Sequence, residues 1–85
     1  MPINQNHIYH IILYCHEHNA DKGLTISNYK LKEKKFKSDA DFKEHMEYCK
    51  NQSYFNEFAE REFTITGQLY EVKGLTDKAK KVIGK

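Results

Sequence analysis

A single proline and only four glycines punctuate these 85 residues, which leaves no room for a flexible or low-complexity linker. Arginine is scarcer still: Arg61 is the only one, and it sits among Glu57, Glu60 and Glu62. The two cysteines, Cys15 and Cys49, form no C-x-x-C pair. No apolar run approaches the roughly 20 residues that a membrane helix needs. Residues 1–13 carry neither a basic leader nor a small-residue cleavage site, so the expectation is no signal peptide, no membrane and a cytoplasmic location. In that reducing compartment both thiols are expected to be buried and free of a disulfide. Also absent are a phosphate loop, a nucleophile elbow and a zinc-protease helix motif. A dinucleotide-binding sheet or an eight-stranded barrel does not fit in a chain this short, and neither does a deep pocket. The expectation is therefore no enzyme, no cofactor and no small-molecule substrate.

Hydrophobic residues make up 39% of the chain and aromatics 13%, enough for one small core and too much for disorder. A single domain over residues 1–85 follows. Helical spacing places Ile8, Ile11, Ile12 and Cys15 on one face of a first helix over residues 6–19, with His10 and Glu17 pointing away. Asn6 is its expected N-cap, and His18, Asn19, Asp21 and Gly23 mark its end. Between residues 24 and 36 the apolar positions Leu24, Ile26, Tyr29, Leu31 and Phe36 fit neither period, and a turn or two of helix is expected. Ser38 with Asp41 resembles a capping box opening a further helix, whose stripe is Phe42, His45, Met46 and Cys49. That helix ends at residues 51–53, or else continues through Tyr54, Phe55, Phe58 and Ala59 to residue 60. Residues 62–66 and 68–72 are rich in β-formers around Gly67, which reads as a hairpin turned by that glycine. Gly74 closes its second strand, and Thr76 caps a short helix over 77–83. The expected core is Ile8, Ile11, Ile12, Cys15, Phe42, Met46 and Leu69, joined by Phe36 and Phe63.

Helix, short helix, helix, two-stranded hairpin and helix is the order of a winged helix-turn-helix domain, an α+β fold. The chain resembles the small winged-helix proteins of Firmicutes and their phages grouped around YjcQ. The resemblance spans residues 8–83 and rests on three segments. One is Ile8-Tyr9-His10-Ile11-Ile12-Leu13. The second is Ser38-Asp39-Ala40-Asp41-Phe42, with Tyr54-Phe55 where the family enters a strand. The third runs from Leu69 to Ala79 and is similar to a strand, then Leu-Thr-x-Lys-Gly, then a helix, with Ala79 standing where the pattern has Gly. The resemblance implies a DNA-binding regulator of a phage or mobile element, with the third helix in the major groove and the hairpin wing against the backbone.

Charge is distributed unevenly. Residues 30–37 carry a net +4 and residues 63–85 a net +3, whereas residues 38–62 carry −4. Double-stranded DNA, if bound, is therefore expected to meet Lys30, Lys32, Lys34, Lys35, Lys37 and Lys43, with Lys80 and Lys81 from the last helix. The plain alternative is that these lysines form a solvated face. Asp39, Asp41, Glu44 and Glu47 make the presumed recognition helix acidic, and it has no Arg to read guanine.

Six tyrosines and five phenylalanines exceed what so small a core consumes. Tyr9 with Leu13 on one shoulder of the first helix, and Tyr14 on the other, are candidates for a protein interface, either a homodimer or a contact with another protein. Their plain reading is as core-edge covers with the hydroxyl in water. His45 and Cys49 stand at i, i+4, and Cys15 could join them around a metal. The scattered first-helix histidines and the missing C-x-x-C make small core residues the better reading, and no metal site is expected.

Overall fold

The computed structural model describes residues 3–63 and 67–85. It has the expected α+β class. Helix α1 (Gln5–Glu17) is followed by a 3-10 turn (Ala20–Lys22), strand β1 (Leu24–Ser27) and a second 3-10 segment (Tyr29–Lys34), here termed the basic turn. Helix α2 (Asp39–Asn51), strands β2 (Phe55–Phe63) and β3 (Gly67–Leu75), and helix α3 (Asp77–Val82) complete the chain. The strands form one antiparallel sheet in the order β1-β3-β2.

The N-cap of α1 lies two residues earlier than its sequence indicates. The Asn6 N–H donates to Asn4 Oδ1 at 2.9 Å, so Asn4 and not Asn6 is the N-cap. Asn4 is itself held by α2, because its backbone N–H donates to His45 Nε2 at 3.0 Å. Ile8, Ile11, Ile12 and Cys15 are fully buried along the helix, each isoleucine contributing about 1.5–3 kcal/mol of transfer free energy. Asn19 in the left-handed region and Gly23 at φ 97° then reverse the chain.

Of the segment expected to hold a turn or two of helix, Tyr29–Lys34 does so as 3-10 turns, whereas the part directly after Gly23 is a strand. Residues Leu24–Ser27 pair with Val72 through Leu69, and only Ile26 and Ser27 are buried, so neither period emerges from four residues at a sheet edge. Tyr29, grouped by sequence with the apolar positions, is 78% exposed. Ser38 does cap α2, its Oγ accepting the Asp41 N–H at 3.2 Å. After the Gln52 C-cap, Ser53 at φ 59° turns the chain into β2, so residues 55–60 extend the sheet and do not prolong the helix. The Thr76 N–H donates to Tyr54 O at 3.1 Å and fixes this entry.

The hairpin is longer than expected, and Gly67 does not turn it. Gly67 is the first residue of β3 and pairs with Phe63, so the connection falls on residues 64–66. Those residues, and the side chain of Phe63 that was assigned to the core, lie outside the described residues. Gly74 lies inside β3 at φ 79°, where a β-carbon would collide with the Asn56 side chain. Thr76 caps α3 as expected, accepting the Ala79 N–H at 3.3 Å.

Helices α1 and α2 cover one face of the sheet and share a core with Ile26, Tyr70 and Val72. The β period explains one correction. Tyr70 and Val72 face the helices, which turns Leu69 away; it is half-buried and outside the core cluster. The far face is polar, with Arg61 3.6 Å from Glu71 and Lys73 4.0 Å from Glu57.

Candidate nucleic-acid interface

The basic turn is a loop closed at its neck. After β1 the chain leaves the sheet at Asn28 and returns to the core at Phe36, which is buried. The Asn28 carboxamide bridges the neck twice: Nδ2 donates to Phe36 O at 3.0 Å, and Oδ1 accepts the Phe36 N–H. Leu31 is the loop's buried anchor. Between these fixed points Lys32 takes φ 54° and ψ −116°, a conformation that side chains avoid, and kinks the two 3-10 turns.

Every lysine of this stretch is exposed: Lys30, Lys32, Lys34, Lys35 and Lys37. Lys30 folds back, its Nζ donating to Thr25 Oγ1 at 3.0 Å and Thr25 O at 3.4 Å. The side chains of the remaining four have no hydrogen-bond or ion-pair partner among the described residues.

A groove of about 980 Å³ runs along this loop. Its floor and walls come from three elements: Tyr14 and His18 at the end of α1, Tyr29, Lys30, Lys32, Glu33 and Lys35 from the loop, and Asp39 at the start of α2, so three lysines face two carboxylates there. The Tyr14 and His18 rings stack at 4.1 Å with 23° between planes, and His18 Nδ1 lies 2.9 Å from Tyr14 O. Tyr29 stands beside them in solvent. Sequence reasoning missed Tyr29 and His18 as groove residues; the only signal was that Tyr29 is flanked by Asn28 and Lys30, both polar.

The other candidates are placed elsewhere. Lys43 is exposed on α2 beside the acidic residues of that helix. Lys80 lines a separate small cleft with His16, Asn19, Asp21 and Leu75, and Lys81 is exposed on α3. Tyr9 is 39% exposed with its ring edge-on to His10, and Leu13 is half-buried. Tyr14 therefore belongs to the lysine groove and not with Tyr9.

His45 and Cys49 share a stripe but not a ligand position. His45 is 3% exposed, with Nε2 taken by Asn4 and Nδ1 by the Asp41 carbonyl at 2.8 Å. Among the described residues no three His, Cys, Asp or Glu side chains converge as a metal site would require. Burial pushes the Cys15 thiol up to about 12 and raises that of Cys49 as well, so neither is a thiolate near neutral pH. No helix among the described residues is long and apolar enough to cross a membrane.

No protein-family model, no curated protein and no solved structure matches the chain.

Proposed function

We propose that the chain is a non-catalytic winged-helix domain that binds DNA through phosphate contacts made by the basic turn, related in kind to the YjcQ-like proteins that it resembles. One observation carries the reading. The side chains of Lys32, Lys34 and Lys35, on a loop clipped shut between Asn28 and Phe36, and that of Lys37 just beyond the clip, are exposed and have no hydrogen-bond or ion-pair partner among the described residues. Cations gathered on one short stretch repel one another, and a polyanion removes that cost. The succession of basic turn, α2 and hairpin keeps the order of a winged helix. The acidic face of α2 argues against deep reading of base edges by that helix, so the binding is weakly dependent on sequence and led by charge.

The test is fluorescence anisotropy of a labelled duplex across a salt series. Replacing Lys34, Lys35 and Lys37 by Gln should weaken all duplexes alike and reduce the salt slope by about one unit per lost contact. Replacing Glu44 and Glu47 by Gln should strengthen binding. Absence of binding at about 50 μM protein in low salt would sink the reading, because nonspecific affinities are ordinarily visible there.

A second reading rests on Tyr9, a large ring left 39% exposed on α1. A homodimer or another protein covering Tyr9 and Leu13 would use it as an anchor. Sedimentation of the chain alone, with and without Tyr9→Ala, separates that contact from DNA binding.

A further inference from the structure

We propose that the groove beside the basic turn seats an unpaired base of single-stranded DNA, so that the protein prefers single strands and overhangs to duplex. The inference rests on the DNA-binding reading above and narrows its ligand.

Phosphate contact alone does not account for this site. Lysines suffice to hold a backbone, yet here they rim a concavity whose walls are aromatic: the Tyr14–His18 stack and the ring of Tyr29. At 78% exposure Tyr29 is the most exposed large hydrophobic side chain described, and its ring stacks on no other ring among the described residues. A flat ring held in water in a groove where the exposed Lys32 and Lys35, with Lys30, outnumber the carboxylates of Glu33 and Asp39 matches a nucleotide, which offers a π face and an anion about one sugar apart. The groove's size, about 980 Å³, is at the upper end for a small ligand and leaves room for a base with its sugar and phosphate.

The same features disfavour duplex. In a duplex the base faces are stacked on one another and cannot reach Tyr29 or Tyr14. Asp39 lies at the groove's edge, and Glu47 is exposed further along α2, so a rigid rod laid across the loop would bring its backbone against carboxylates. A flexible strand can follow the lysines and turn a base inward without that approach. The backbone of Lys32 points the same way. A non-glycine residue kept at φ 54° and ψ −116° persists where the surroundings impose it, and here it sets a lysine on the groove's rim.

The experiment compares a labelled oligothymidine with a duplex of equal length, using the full chain and three variants. The intact protein should bind the single strand more tightly at equal salt. Tyr29→Ala should weaken the single strand by about tenfold to a hundredfold, the loss of one base–aromatic stack, and duplex binding by a much smaller factor. Tyr29→Phe keeps the π face and should restore the preference. An unchanged melting temperature for Tyr29→Ala establishes that the fold is intact, as expected for so exposed a residue. Equal affinity for both forms, or equal loss of both in Tyr29→Ala, overturns the base seat. If duplex binding then still responds to the Lys34, Lys35 and Lys37 replacements, the phosphate reading stands without it. Binding to neither form removes both.

Discussion

The backbone N–H of Asn4 donates to Nε2 of His45, while Nδ1 of the same ring lies 2.8 Å from the Asp41 carbonyl. The N-cap of α1 thereby hangs on a side chain from α2. His7 lies one turn into α1, its ring 5.5 Å from that of His45, and both pack on Phe36.

Acid should loosen this junction. Burial holds His7 below its ordinary 6.5, and His45 and His10 push the same way against the opposing pull of Asp41. The unfolded chain then binds protons that the native state excludes, so stability is full above about pH 6.5 and falls as pH drops below it. Melting temperatures measured from about pH 8 to about pH 5 should decline below neutrality, and His7→Gln should flatten that decline. A flat profile in the wild type would contradict the mechanism.

Asn28 is the clip on the basic turn. Its replacement by Ala leaves the Phe36 N–H and carbonyl without their partner, at a cost of about 1–3 kcal/mol. Asn28→Asp keeps the acceptor and loses the donor, and should fall between. Urea midpoints report the cost, and faster exchange of the Phe36 amide locates it.

Lys32→Gly should stabilise the fold and impair the function. Glycine tolerates the positive φ that lysine is forced into, which offsets strain on the order of 1 kcal/mol. The same change removes a groove cation. A higher melting temperature together with weaker oligothymidine binding is the expected pair of results, and a lower melting temperature would show that no strain resides there.

The core boundary on β3 can be tested by comparison. Phe42→Ala should cost about 3–5 kcal/mol through the cavity that it leaves, whereas Leu69→Ala, at a half-buried position, should cost about 1 kcal/mol or less. Chemical denaturation of both variants decides it, and similar losses would place Leu69 inside the core after all.

The helices were legible in the sequence because their signals are local. Ile8, Ile11, Ile12 and Cys15 announce a face within eight residues, and Ser38 and Thr76 cap at the positions their neighbours imply. The sheet was less so. Strand β1 has four residues, one clearly core-facing, and its partner lies more than forty residues away in β3. Which alternate of Leu69 and Tyr70 faces inward depends on a register that no local pattern records. The lysines of the site could be read as a charge run. The groove could not, because Tyr14, His18 and Tyr29 come together only when α1 and the basic turn pack side by side.

The sheet order has a temporal consequence. Its middle strand, β3, is the last of the three to leave the ribosome, and β1 and β2 touch each other only through it. Until Tyr70 and Val72 emerge, the core that α1 and α2 share lacks its β3 side chains and the β1 edge has nothing to pair with. The sheet must therefore close late, across a long loop, and nearly the whole chain must be synthesised before any of it is native. A message truncated ahead of Gly67 would yield no smaller folded piece, only a chain exposed to proteolysis.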